Sequence, residues 1–149
     1  MQDKTASQHI TRLKQPIVFV KELTETVIQI YSFFMALNKF NSLKHGKLFI
    51  VRPSGYLSDE TGGLLYNQLL AAVKEGYACF LVDLTEVTVI NSPGVTRLLE
   101  IAEDLTAVHH SELSLCGVSE LYREIFQVTG LASLATIYDS EQEALTALG

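Results

Sequence analysis

The segment Asn91-Ser92-Pro93-Gly94 follows an apolar run and sits where a helix is predicted to begin. Serine is a favoured N-cap and proline is favoured at the first helical position, so the spacing sets Ser92 as the cap and Pro93 as the first helical residue. A hydroxyl at that point faces the positive end of the helix dipole, where a phosphoryl group is stabilised. The other residues with chemical capacity are worse placed. His9 and His45 stand apart, and His109-His110 falls at the expected end of the Ser92 helix, where a cation suits the dipole. No G-x-S-x-G surrounds any serine, so none reads as a nucleophile with its base. Cys79 and Cys116 form no C-x-x-C pair. Both lie in apolar runs and read as buried free thiols, which suits a reducing, cytoplasmic compartment. Gly62-Gly63 is isolated and belongs to neither phosphate-loop pattern. It reads as a loose first turn or a close contact. Glu100, Glu103 and Asp104 read as a solvated helix face or a docking surface for a basic partner. No catalytic residue, metal cluster or cofactor loop emerges.

The elements that must position Ser92 alternate. Lys47 to Arg52 reads as a strand ending at the Pro53-Ser54-Gly55 turn. Leu64, Leu65, Leu69, Ala72 and Val73 recur at helical spacing between Ser58 and Glu75, with Gly76 placed to end that helix. Ala78 to Leu84 is apolar until Asp83, the mark of a strand covered on both faces. The Ser92 helix carries its apolar stripe on Val95, Leu98, Leu99, Ala102 and Leu105. Its other side presents Thr96, Glu100, Glu103 and Asp104. Leu113 to Gly117 is a short strand; Ser119 caps a helix through Gln127, with Gly130 past its end. Leu134 to Tyr138 is the last strand. Ser140 and Glu143 form a capping box for a helix over Ser140 to Leu148. Phe40 to Leu43 pairs antiparallel with 47–52 through His45-Gly46. The fold class is therefore α/β: a mainly parallel four- to five-stranded sheet with helices against it and right-handed crossovers.

Composition bounds the rest. The 149 residues suffice for one domain, and 48% apolar with 19% charged residues excludes a disordered chain. The longest uncharged stretch, residues 125–138, is short of the roughly 20 a membrane helix needs. No secretory leader opens the chain. The net charge of −6 disfavours direct nucleic-acid binding. It is uneven: residues 1–45 are net +3 and residues 46–149 net −9. Thr26 to Asn38 is apolar on almost every side as a helix, too wide a stripe for a water-exposed one. It is expected to pack on the domain, on a second copy or on another protein.

The run Asp83-Leu84-Thr85-Glu86-Val87-Thr88-Val89-Ile90-Asn91-Ser92-Pro93-Gly94-Val95 resembles the signature of the STAS family, the domain of anti-sigma factor antagonists. That signature has an Asp ending the third strand, a hydrophobic connector, and Asp-Ser-Ser/Thr-Gly opening the next helix. Asp83 matches the strand Asp, Ser92 the family's phosphorylated serine and Gly94 its glycine. Val51 to Leu57 is similar to the family's strand and Gly-x-Leu turn, Phe126 to Leu131 to its helix-ending segment, and Glu141 to Leu145 to its last helix. The resemblance covers residues 40–149 and leaves 1–39 as an N-terminal extension. Two positions depart from it. Asn91 stands where an acid precedes the serine, and Ser58, followed by Asp59, stands where an acid follows Gly-x-Leu.

The resemblance implies a non-enzymatic binding module without cofactor or metal. It would bind an anti-sigma factor or serine kinase when Ser92 is unmodified, and a serine phosphatase would restore that state. The implied contact surface is Ser58, Asp59, Asn91, Ser92, Gly94, Thr96, Arg97 and Glu100. Phosphorylation there adds about −1.5 to −2 charge on a contact surface without unfolding the helix. A second reading is a constitutive scaffold or assembly subunit, a STAS module of a larger or membrane-associated complex, with a homodimer through residues 26–38. An α/β enzyme or small-ligand protein is the reading with the least support.

Overall fold

The computed structural model describes residues 18–31, 33–34 and 39–149. The chain divides into two units, Met1–Asn38 and Lys39–Gly149. In the first, α1 is helical at 18–31 and 33–34. Taken by itself it carries exposed apolar side chains at Val18, Phe19, Val20, Val27, Ile28 and Tyr31, which helical spacing puts on more than one side. Residues 32 and 35–38 of the predicted 26–38 segment lie outside the described residues.

The second unit runs β1 (Asn41–His45), β2 (Leu48–Arg52), β3 (Gly55–Leu57), α2 (Asp59–Lys74), β4 (Cys79–Asp83), β5 (Val87–Ile90) and α3 (Ser92–Glu103). It continues with β6 (Glu112–Cys116), α4 (Glu120–Thr129), α5 (Leu131–Leu134), β7 (Thr136–Ile137) and α6 (Glu141–Leu148). Five strands form one sheet in the order β1-β2-β4-β6-β7, antiparallel only at β1–β2. A second sheet pairs β3 with β5 in parallel.

The period-2 alternation of side chains explains why β2 and β4 are apolar throughout. Phe49, Val51, Phe80 and Val82 face the larger core under α2 and α3, with Leu65, Leu69, Leu98 and Ile101. Leu48, Ile50 and Leu81 face the opposite side, where Ala144 of α6 closes a smaller core. The entries of α2 and α4 are polar and local. Ser58 and Thr61 form a capping box on α2, Ser119 caps α4, and Gly130 ends α4 at φ +89°.

Several expectations change in detail. The stretch after Asp83 is not merely a connector: it contains β5, and its register with β3 depended on pairing that no local pattern shows. The residues after Glu103 leave the α-helical path in a π-helical turn, Asp104–Val108, which keeps Leu105 buried while Thr106 to Val108 are exposed. The Ser140–Glu143 capping box is half formed. Ser140 accepts from the Glu143 N–H, but the Glu143 carboxylate accepts from the N–H of Asp139, one residue early.

Phe80 is fully buried between the two helices and Phe49, with ring centroids 6.2 Å apart. Phe80→Ala is expected to cost about 3–5 kcal/mol. A urea titration should show the midpoint fall with an unchanged slope.

Candidate functional site

Ser92 is delivered by three constraints on the main chain around it. The first is the turn after β4. Asp83 is buried and accepts hydrogen bonds from the Thr85 N–H (2.9 Å) and hydroxyl (2.5 Å). Gly117 lies so close that a Cβ there would sit 2.2 Å from Thr85 Oγ1. The second is β5 itself, whose Ile90 N–H donates to the Tyr122 hydroxyl of α4 at 2.9 Å. The third is β3: the Asn91 N–H donates to the Leu57 carbonyl at 3.2 Å.

The cap of α3 is Asn91, not Ser92. Asn91 Oδ1 accepts from the Gly94 N–H at 2.8 Å, which makes Ser92 the first helical residue and Pro93 the second. The physical reason is that every N–H of the first turn lacks a helical partner, so proline costs no hydrogen bond at the second position either. Asparagine is as good a cap as serine. The consequence is chemical: no hydrogen bond among the described residues uses Ser92 Oγ, and Ser92 is exposed. Its main-chain carbonyl accepts from the Thr96 hydroxyl at 3.1 Å.

Gly94 also differs from expectation. It is buried and belongs to the packing beneath the surface rather than to the surface itself. A Cβ would meet the Leu57 carbonyl oxygen at 2.3 Å and Ile90 Cγ2 at 3.1 Å.

The remaining predicted residues are brought together. Ser58 caps α2, so the α2 and α3 N-termini both start from the paired ends of β3 and β5, at Leu57↔Ile90. Arg97 of α3 reaches Asp59 of α2 at 2.8 Å and Glu100 at 3.3 Å. Asp59 and Glu100 are largely exposed, and such pairs contribute about 0–1 kcal/mol. Packing does more: the Arg97 stem lies on Gly62, where a Cβ would come within 2.6 Å of its Cγ. Gly62 is thus the close contact that one reading of Gly62-Gly63 foresaw. At the far end the Tyr66 hydroxyl bonds the Asp104 carboxylate, and that bond, with burial, pushes the phenol up to about 12. The resulting face exposes Asp59, Glu60, Ser92, Thr96, Glu100 and Glu103, with the Arg97 guanidinium held by two of its acids.

Tyr66, Tyr122 and Gly62 were not legible as positioning residues, because their partners lie 32 to 38 residues away in sequence. Asn91 was legible in kind, since it is itself a cap residue.

Both cysteines are free. Burial pushes the Cys116 thiol up to about 12 and raises Cys79 as well, so neither supplies a thiolate at neutral pH. Among the described residues no three His, Cys, Asp or Glu side chains converge as a metal site. No helix among them is long and apolar enough to cross a membrane.

The sequence model of the STAS domain matches residues 39–144. A Bordetella bronchiseptica protein with the provisional name anti-sigma factor antagonist BtrV is 29% identical over 100 residues, covering 67% of this chain and 85% of its own. The Bacillus cell fate determinant SpoIIAA in its phosphorylated form superposes with a TM-score of 0.59 at 20% identity, over 74% of this chain and 99% of that one. A sulfate transporter family protein of Wolinella succinogenes superposes at 0.60 with 19% identity, over 70% and 87%.

Two predictions follow from the packing. Gly94→Ala is expected to cost about 1–3 kcal/mol, because a main-chain carbonyl must move. Gly63→Ala, whose Cβ meets nothing within 4 Å, is expected to stabilise by about 0.5–1 kcal/mol. Thermal unfolding of the pair checks both signs. For Asp83, burial pushes the carboxyl up, but the hydrogen bonds it accepts from the Thr85 N–H and hydroxyl favour the charged form, and the group is held below the ordinary aspartate value. Its stabilising contribution is therefore complete above about pH 4 and is lost as pH falls through the lower folded value. The gap in urea midpoint between wild type and Asp83→Asn should narrow in that acid range.

Proposed function

The chain belongs to the STAS domain family, and from that premise we propose that it is a non-enzymatic regulatory binding module of the anti-sigma factor antagonist kind. Its partner is an anti-sigma factor with serine kinase activity, met in the cytoplasm. The unmodified face around Ser92 binds; phosphorylation of Ser92 ends binding; a serine phosphatase restores it.

The observation that carries this reading is the division of labour between Asn91 and Ser92. The cap, worth about 1 kcal/mol, is supplied by Asn91. The serine hydroxyl is left exposed with no structural duty, on a helix whose first turn holds no acid. A phosphoryl group there lies at the positive end of the α3 dipole; Pro93 offers no N–H and Asn91 already holds that of Gly94, so the field of the helix and full exposure, rather than a ring of free donors, let the fold accept it. The partner does not, because a new dianion on a face that already exposes Asp59, Glu60 and Glu100 must be desolvated on contact. The named relative from Bordetella supports the partner class by its description as an anti-sigma factor antagonist.

The neutral Asn91, where the family resemblance places an acid, favours a second reading: a constitutive scaffold or assembly module without a switch. Paired pull-downs with wild type, Ser92→Ala and Ser92→Asp separate the two. Because Asn91 holds the cap, Ser92→Ala should lie within about 0.5 kcal/mol of wild type in stability and serve as a clean control. The switch predicts one protein retained by wild type and Ser92→Ala and released by Ser92→Asp. Equal retention by all three baits sinks the switch and leaves the scaffold.

A further inference from the structure

The edge of the five-stranded sheet at β1 carries an inference of its own. All five residues of β1 are exposed, and Leu43 keeps 46% of its surface. Sheet edges are normally blunted by prolines, charged side chains (lysine above all), bulges, a covering helix or loop, or extreme shortness. The opposite edge, β7, is only two residues long. β1 has no proline, and its five-residue register with β2 is unbroken. Its one charge, Lys44, is turned along its own domain, to Glu75 at 2.9 Å and over the Tyr77 ring at 5.8 Å.

The direction of the open hydrogen-bonding groups follows from the turn. β1 and β2 are joined by Gly46-Lys47, with Gly46 at φ +59°, a two-residue hairpin in which the flanking pair His45↔Leu48 is hydrogen-bonded. Alternation makes Leu43↔Ile50 and Asn41↔Arg52 the other bonded pairs. Ser42 and Lys44 therefore direct their N–H and C=O away from β2. The preceding outward position is already taken: Gln68 accepts from the Phe40 N–H at 3.0 Å and donates to the Phe40 carbonyl at 2.8 Å. That amide clamp fixes the strand's start and leaves the edge open only at Ser42 and Lys44. Among the described residues neither main chain is bonded to anything beyond β2.

This edge is complementary to itself. In an antiparallel pair with a two-fold axis at Leu43, Ser42 of one copy exchanges both main-chain bonds with Lys44 of the other, and the reverse. Leu43 then faces its own equivalent in the close, non-bonded position, and Asn41 faces His45. No like charges stand opposite, and the ion pair with Glu75 neutralises each Lys44. A shift of one residue would break the pairing of outward groups. A shift of two sets Lys44 either opposite its own equivalent, a like charge, or opposite Phe40, whose main chain Gln68 already holds, so the axis at Leu43 is favoured.

We propose that two copies of this chain associate through β1, joining their sheets across a two-fold axis at Leu43. The contact is small, so the dimer is weak and concentration-dependent. Light scattering on the full-length chain tests it over a rising concentration series. Wild type should reach twice the chain mass at high micromolar concentration. Ser42→Pro removes one outward N–H per copy and no β1–β2 bond, so it should stay monomeric, with an unchanged far-ultraviolet circular dichroism spectrum. Ser42→Thr should behave as wild type. Should Ser42→Pro misfold, Leu43→Cys gives an independent readout. Its two thiols would meet across the axis at a separation that suits a disulfide, so mild oxidation should yield a covalent dimer that reductant reverses. A wild type that stays monomeric throughout overturns the proposal. So does a dimer that persists in Ser42→Pro and does not cross-link through Leu43→Cys; that result would place the contact in the apolar helix of the N-terminal unit.

Discussion

One peptide unit, the Leu57 carbonyl at the end of β3, sets the geometry on which the site depends. It accepts the Asn91 N–H and lies against the Cα of Gly94, close enough that no side chain fits between them. A flexible side chain can yield to such an approach, but a carbonyl in a strand cannot. The first turn of α3 is therefore seated on β3 at a fixed distance. The next residue, Ser58, caps α2, so the same strand end starts both helices. Everything that makes the surface continuous, from Asp59–Arg97 to Tyr66–Asp104, depends on two helices entering from one place.

This arrangement shows how much was legible in the sequence. A mainly parallel sheet was implied by alternating strands and helices, because continuous apolar runs such as Cys79–Val82 must be covered on both sides. The antiparallel first pair was legible from His45-Gly46. Helix entries at Ser58, Ser119 and Ser140 were visible because caps act locally. The β3–β5 sheet was not, since three- and four-residue strands carry too little pattern. At Asn91-Ser92 the pattern offered two caps in a row, and the choice depended on where proline is tolerated. Sequence favoured Ser92 because that puts Pro93 at the first helical position. In the fold, Asn91 is already fixed by its N–H bond to Leu57, and its longer side chain reaches the Gly94 N–H. Gly94 looked like part of a surface motif for the same reason: a motif gives spacing and says nothing of which side faces in.

The acids around the site follow a consistent distribution. The helices α2, α4 and α6 each carry an acid in the first turn, whereas α3 carries none. An acid in the first turn of α3 would have compensated the dipole permanently. With a neutral cap instead, no fixed negative charge sits in the first turn, although Asn91 holds the Gly94 N–H and Pro93 has none to offer. Arg97 does not fill the gap, because its guanidinium is spoken for by Asp59 and Glu100.

Magnitudes then decide where a phosphoryl group at Ser92 would act. Interaction with the helix terminus favours it by about 0.3–1 kcal/mol, and exposure leaves its hydration intact, so the folded domain gains or loses little. Burying the same charge against a partner surface without a matched cation costs several kcal/mol. Each 1.4 kcal/mol is a tenfold change in affinity, so even a fraction of that penalty moves binding by orders of magnitude while stability stays nearly level. The separation requires that the modified residue hold up nothing. In this chain the cap is at Asn91 and the close packing at Gly94, which leaves Ser92 exposed with no hydrogen bond to its hydroxyl among the described residues, so its chemistry can change with little effect on the fold.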